Sequence, residues 1–180
     1  MTQRFRILPI IVSVVLLSAC ATSLDGERYR KQQPGFDLFG FFNGEVTAWG
    51  IVQDRSGEVT QRFTVKIQGT VEGNQLRLDE TFEYSLGSGV TERVWIINRK
   101  ADGSYGGRAG DILGDAYGEA FGNAFRWTYA MDLPVGNNSY EVTFEDWIWQ
   151  LDEHTILNRS WIQKFGIDFA EVTLFMQRSI

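Results

Sequence analysis

The 180-residue chain is short of the side chains from which many active sites are built. It has one cysteine, Cys20, and one histidine, His154. An intramolecular disulfide is therefore excluded, and a zinc or copper site of the usual cysteine and histidine type lacks its ligands. The Gly-x-Ser-x-Gly sequence of a hydrolase nucleophile elbow is also missing. We therefore predict no metal and no cofactor, and we assign no residue to catalysis.

Basic residues are also few. The chain has 17 Lys and Arg against 23 Asp and Glu, and it has no run of more than two consecutive basic residues. Removal of residues 1–19 takes away Arg4 and Arg6 and no acid, which leaves 15 basic against 23 acidic residues and a net charge of −8. Such a domain gains nothing from phosphate backbones, so we predict no nucleic-acid partner.

Long apolar runs are limited to residues 7–17, a stretch too short for a membrane-spanning helix, which needs roughly 20 residues. Arg4 and Arg6 precede this run, and small residues with Cys20 follow it, which is the layout of a secretory signal. We therefore predict a signal peptide over residues 1–19.

The end of this signal, Leu17-Ser18-Ala19-Cys20, resembles the lipobox of bacterial lipoproteins. The resemblance implies that the Cys20 thiol is acylated with diacylglycerol and a further chain such as palmitate, and that Cys20 becomes the mature N-terminus. Two or three acyl chains would anchor the protein stably in a membrane. The next residue is Ala21 rather than the Asp that favours inner-membrane retention, which implies the periplasmic face of the outer membrane.

The mature chain is predicted to have two parts. Residues 20–35 are polar and aperiodic beyond the lipidated cysteine, which indicates a tether. Residues 36–180 are long enough for a single domain with one core. Aromatic residues make up 14% of the whole chain, which has 19 Gly and only three Pro; this usage suits strands joined by tight turns.

Hydrophobic alternation predicts an all-β domain. From residue 58 to 71 the apolar side chains recur at every second position, and the same period returns at 75–85 after a turn at Gly73 and Asn74. Further strands are predicted at 46–53, 90–99, 104–109, 125–133, 140–151, 155–164 and 167–178. Residues 111–122 are rich in Ala and Gly and have weak patterning, which is compatible with a bent or glycine-packed strand or with a short helix. Roughly nine antiparallel strands hide their edges best as a closed, lipocalin-like up-and-down barrel.

Several short sequences resemble an uncharacterised family of Gram-negative lipoproteins, a domain of unknown function of the DUF3833 type. They are Phe41-Phe42-Asn43-Gly44, Ala48-Trp49-Gly50, Asn158-Arg159-Ser160-Trp161 and Lys164-Phe165-Gly166. A looser resemblance is to lipocalins and other calycins, with Gly44 and Trp49 entering the first strand. That resemblance implies a Trp that closes the barrel floor under an Arg, a role that Arg159 or Arg126 could fill.

Three charged residues fall on otherwise apolar strand faces: Glu80, Arg93 and Asp146. An isolated buried charge costs several kcal/mol, so these groups should be paired or should face a wet cavity. Inside an aromatic-lined barrel they would form the polar spot of a ligand pocket. The alternative is that β-bulges turn each charge outward, or that they are ion pairs at a barrel end. The candidate ligand-binding residues are Trp49, Glu80, Arg93, Trp95, Arg126, Trp127, Asp146 and Arg159.

Three functions are compatible with this sequence. The first is binding of a lipid or other apolar ligand, such as a fatty-acyl chain, in the barrel. The second is a filled barrel that docks an envelope protein through Trp147 and Trp149, which lie on the face opposite Phe144. The third is an enzyme of membrane-lipid modification that uses Glu80 or Asp146 as a base. We expect binding rather than catalysis, because the acidic residues are scattered.

Overall fold

The protein is represented by a computed structural model that describes residues 24–135 and 138–179. The predicted signal peptide and Cys20 lie outside the described residues. A short 3₁₀ helix spans Gly26–Tyr29, and one α-helix, α1, spans Leu38–Phe42. The strands are β1 Gly44–Asp54, β2 Val59–Glu72, β3 Gln75–Leu86, β4 Glu92–Arg99, β5 Tyr105–Ala109, β6 Ile112–Phe121, β7 Ala124–Val135, β8 Asn138–Gln150, β9 Thr155–Lys164 and β10 Ile167–Arg178.

The strands form a closed antiparallel barrel. Each strand pairs with its neighbours along the chain, and β1 pairs with β10 to complete the circle. This confirms the predicted all-β meander and its closure. Within the described residues every strand therefore has a partner on both sides, which removes most of the template for aggregation that an open sheet would present.

The barrel has ten strands rather than the roughly nine predicted, because residues 111–122 supply β6. The weak pattern of this strand has a steric cause. A Cβ atom on Gly118 would lie 2.4 Å from the Trp127 ring, and one on Gly107 of β5 would lie 2.6 Å from it. Glycine therefore takes inward positions where an apolar side chain would otherwise have marked the strand.

Alternation divides each strand between the barrel interior and the outer surface. In β2 the side chains of Phe63, Val65 and Ile67 are buried. The alternate residues Lys66 and Gln68 are exposed. This is the face predicted from the period of two.

The end of the barrel at which β1 begins is closed by α1, which the sequence pattern does not predict. Four of its five residues are buried: Leu38, Phe39, Phe41 and Phe42. The Asp37 carboxylate accepts a hydrogen bond from the Gly40 amide and caps the helix, and Arg178 Nη1 donates to the Gly40 carbonyl at 3.0 Å. The Phe42 carbonyl oxygen lies where a Cβ on Gly69 would be, so β2 needs glycine at that position.

A second apolar cluster, which we call the outer aromatic cluster, lies on the outside of the barrel wall. Its buried members are Phe121, Ala124, Trp147 and Trp161, and Leu24, Tyr29 and Trp149 pack against them. Leu24 and Tyr29 of the predicted tether therefore pack on the barrel wall, whereas residues 30–33 are exposed. The described part of the chain contains no helix with the length and apolar character needed to span a membrane.

Candidate ligand cavity

The barrel interior is hollow. A cavity of about 890 Å³ extends from the α1 floor, where Leu38 and Phe42 line it, toward the opposite end of the barrel. At that end its lining includes Gln61 and Ser88. The Gln61 amide donates to the Ser88 carbonyl at 2.6 Å and ties β2 to the turn between β3 and β4. The volume lies within the 300–1,000 Å³ typical of small-molecule sites.

Aromatic rings form much of one cavity wall. Trp95 of β4 makes edge-to-face contacts with Trp127 and Tyr129 of β7, with ring centroids 5.7 and 5.4 Å apart. Tyr129 in turn stacks on Phe144 of β8 at 5.0 Å. Such contacts hold large side chains in fixed positions, so the wall offers a preformed apolar surface.

Three charged residues from different strands lie in this wall. Glu80 of β3 and Arg93 of β4 are direct neighbours in the strand register, and Asp146 lies on β8. All three line the cavity, so the surface that they retain faces its interior. The Arg93 guanidinium also contacts Asp111, with Nε and Nη2 at 2.9 and 2.7 Å from Asp111 Oδ2. We call Glu80, Arg93, Asp111 and Asp146 the polar cluster.

The two carboxyl groups of the polar cluster that line the cavity ionise with difficulty. Burial raises the pKa of Glu80 to about 7; the nearby Arg93 opposes the shift, and the carboxylates of Asp111 and Asp146 add to it. Burial also raises the pKa of Asp146 to about 7, against the effects of the Ser160 hydroxyl and of Arg93. Near neutral pH both groups can therefore exchange a proton.

The hydrogen bonds around Asp146 are incomplete. Its Oδ1 atom is buried and has no hydrogen-bond partner. Ser160, its neighbour in the β8–β9 register, donates to Asn158 Oδ1 at 3.2 Å, and the Asn158 amide donates to the Trp147 carbonyl at 3.4 Å. A buried acceptor without a donor is costly, which marks Asp146 as a position where a ligand group could bind.

Five of the eight predicted site residues line the cavity: Glu80, Arg93, Trp95, Trp127 and Asp146. The proposed alternatives for the three charges, bulges that turn them outward or ion pairs at a barrel end, are not what the structure shows for Glu80 and Asp146. Arg93 does form an ion pair, with Asp111, while still lining the cavity.

The other three predicted site residues lie on the outer surface. Trp49 is 46% exposed and packs against Phe175 of β10. The reason is the strand period, which turns the small residues Ala48 and Gly50 inward. The expected tryptophan floor is therefore wrong, because the phenylalanines of α1 close the barrel.

Arg126 and Arg159 are likewise bound to outer-surface partners. Arg126 Nε lies 2.9 Å from Glu145 Oε1 on β8, and Arg159 Nε donates to Glu171 on β10 at 3.0 Å. Neither packs over the barrel floor. Arg126 precedes the inward Trp127, and Arg159 follows the inward Asn158, so the alternation places both arginine side chains outside.

Tyr129, Asn158, Ser160 and Asp111 complete the site and were not predicted. The first three share strand faces with buried residues: Tyr129 follows the predicted site residue Trp127 by two positions, and Asn158 and Ser160 lie on the face of the buried Ile162. Extending the alternation would have found them. Asp111 lies in the turn between β5 and β6, and no local pattern links it to Arg93.

The comparisons with known proteins identify a family but no activity. No curated protein matches the sequence. A family model described as "Protein of unknown function (DUF3833)" matches residues 14–178, nearly the whole chain, and the protein belongs to that family.

Proposed function

We propose that the protein binds an amphiphile in the barrel cavity, as a lipid-anchored lipoprotein on the periplasmic face of the outer membrane. The observation that carries the proposal is the hollow interior, with an aromatic wall and a polar cluster set into it. An apolar chain that leaves water gains about 25 cal/mol for each Å² buried. The polar cluster would receive the other end of the same molecule.

The anchor is supported by the sequence around Cys20, and the position of Leu24 limits the distance between that anchor and the barrel. Leu24 packs against the outer aromatic cluster only four residues after Cys20. Four extended residues span at most about 14 Å. An acylated Cys20 would therefore hold the barrel wall close to the bilayer, which would be the source of the amphiphile.

The partner-docking alternative has less support in the structure, because Trp147 is only 1% exposed beneath the chain's own N-terminal segment. An enzyme of membrane-lipid modification is favoured by one observation, the pKa values near 7 of Glu80 and Asp146, which suit a general base. That candidate requires turnover of a bound lipid that Glu80→Gln and Asp146→Asn each abolish. If the protein binds a lipid and releases no product of it, the enzyme candidate is wrong and the protein is a lipid binder only.

The cavity can be tested by filling it. Val172→Trp places a large ring on a cavity-lining position of β10, and we expect it to weaken binding of the neutral fluorescent probe N-phenylnaphthylamine at least about tenfold. Thr143→Trp adds the same ring to the exposed face of β8 and should bind like the parent. Binding is measured by probe titration, with circular dichroism to verify folding.

A second variant keeps the test decisive if Val172→Trp does not fold. Leu133→Trp narrows the cavity from β7 and should also weaken probe binding. Equal probe affinity in the parent and in folded forms of both variants would refute the proposal. Mass spectrometry of an organic extract of the purified parent protein should in addition reveal a co-purified amphiphile.

A further inference from the structure

The polar cluster holds more negative than positive charge. It has three carboxyl groups, from Glu80, Asp111 and Asp146, and one guanidinium, from Arg93. Among the described residues that line the cavity, Arg93 is the one Lys, Arg or His. Both its Nε and its Nη2 donate to Asp111, so its charge is already balanced. Glu80 and Asp146 are left without a cation of their own.

The cluster also has more hydrogen-bond acceptors than donors. Asp146 Oδ1 is buried without a donor, and so is Asp111 Oδ1. Two nearby donors are engaged within the wall: the Ser160 hydroxyl is shared between Asn158 Oδ1 and Asp146, whose pKa it lowers, and the Asn158 amide donates to the Trp147 carbonyl. A ligand group that carries an N–H or O–H would supply what the cluster lacks.

A ligand carboxylate would meet the opposite situation. It offers only acceptors, and it would add a further negative charge beside three carboxyl groups in a poorly solvated site. Its binding would require Glu80 and Asp146 to hold protons. An ammonium group would instead pair with these carboxylates as they ionise, and a hydroxyl could donate to them in either state.

On the basis of the proposed binding function, we infer that the cavity selects amphiphiles whose polar end is a cation or a hydrogen-bond donor over amphiphiles that end in a carboxylate. The chemical class is a long-chain amine, alcohol or similar donor-headed lipid. A free fatty acid is the disfavoured ligand.

The test compares three ligands of equal chain length, dodecylamine, dodecanol and dodecanoate, in displacement of N-phenylnaphthylamine. The titratable and charged groups that face Glu80 and Asp146 are Arg93, Asp111, Tyr84, Tyr129 and, from the outer side of β8, Glu145. Between about pH 6.5 and 8.5 we expect Glu80 and Asp146 to lose their protons, while the three ligands keep their charge state. At about pH 8.5 dodecylamine should therefore bind about tenfold more tightly than at about pH 6.5, and dodecanoate should bind more weakly. The affinity for dodecanol should be nearly the same at both pH values.

Neutral variants identify the groups responsible. The double variant Glu80→Gln, Asp146→Asn should lose about tenfold in affinity for dodecylamine at the higher pH and should bind dodecanoate better than the parent does. Either single variant gives the same direction if the double variant does not fold. Glu83→Gln, an exposed position on the same strand near Lys66, is the matched control and should leave all three affinities unchanged.

The two proposals fail in different ways. If none of the three ligands displaces the probe, the proposed binding function is wrong. If dodecanol displaces it but dodecanoate binds more tightly than dodecylamine at both pH values, the cavity binds amphiphiles and the inferred preference for donor heads is wrong.

Discussion

At the scale of single residues, Phe165 is an unusual turn residue. It joins β9 to β10 with Gly166, and both have positive φ, 53° and 74°. Two such residues form a type I′ hairpin turn, which favours Asn-Gly because a bulky side chain strains the left-handed conformation. The Phe165 ring is 92% exposed, so burial returns little of that cost.

We therefore expect Phe165→Asn to stabilise the protein by about 0.5 kcal/mol, after allowance for the lost contact with Lys164. Urea denaturation measures the change. Phe165→Ala is the control, because it removes the ring but keeps a residue that is strained at positive φ, so Asn should be the more stable of the two. An Asn variant less stable than Ala would contradict this explanation.

The residues of the cavity show what local sequence can reveal. Alternation identified Glu80 and Asp146 because each interrupts an apolar face whose direction is fixed by several neighbours. The resemblance to lipocalins, in contrast, misplaced Trp49: alternation along β1 turns the small residues Ala48 and Gly50 inward and leaves the Trp49 ring on the outer surface. The partner of Arg93, Asp111, is a long-range contact that only the closed barrel creates.

At the scale of elements, the segment that contains the 3₁₀ helix Gly26–Tyr29 protects the outer aromatic cluster. The Tyr29 ring lies 5.8 Å from Trp147 and 6.2 Å from Trp149. We expect Tyr29→Ala to cost about 1–2 kcal/mol and to shift tryptophan emission to longer wavelength, because Trp147 would become hydrated.

The neighbouring substitution Arg28→Ala is the control for Tyr29→Ala. The Arg28 side chain is 83% exposed and makes only a 3.9 Å ion pair with Asp25, so its loss should change neither emission nor stability. Acrylamide quenching gives a second measure of tryptophan exposure. A Tyr29→Ala variant with unchanged emission and quenching would mean that the cluster does not depend on this segment.

Elements were predicted well where packing and local pattern agree. The β2–β3 hairpin alternates from Phe63 to its turn, and its register there follows from that pattern; the irregularity between Arg62 and Phe63 does not. Helix α1 was not predicted because its sequence, Leu-Phe-Gly-Phe-Phe, is too short to show a helical period. Its burial depends on the barrel end that it closes. For strand β6 the glycine-packed alternative is the correct one, because glycines at inward positions make room for the Trp127 ring and weaken the apolar pattern.

At the scale of the whole molecule, a hollow barrel with carboxyl groups in its wall is a compromise between stability and binding. A filled apolar core would avoid the desolvation of Glu80 and Asp146. The ten strands close the wall of the cavity and α1 closes one end, so that the cavity is open at the other end. Every strand is still paired on both sides. The cost of the buried carboxyl groups should therefore appear as a dependence of stability on pH.

We expect the ligand-free protein to lose stability as the pH rises from about 5 to 7.5. Glu80 and Asp146 have pKa values raised to about 7 in the folded state, from 4.5 and 3.8. In this range the folded state holds more protons than the unfolded state, so the free energy of unfolding falls by up to about 1.4 kcal/mol per pH unit for each excess proton. Asp54 and Asp102 act in the opposite direction below this range, because hydrogen bonds from Ser56 and Ser104 lower their pKa values in the folded state. Their contribution to the free energy of unfolding is lost as the pH falls.

Urea denaturation at a series of pH values measures this slope. Glu80→Gln should flatten it between pH 5 and 7.5, because one of the two proton sites is removed, whereas the exposed Glu83→Gln should leave it unchanged. Dodecylamine should offset part of the loss at the upper end of the range, since it binds the ionised cluster and adds RT ln(1 + [L]/Kd) to the free energy of unfolding. Stability that rises from pH 5 to 7.5 in the parent would show that the two carboxyl groups ionise without hindrance, and the cavity would then be well solvated around them.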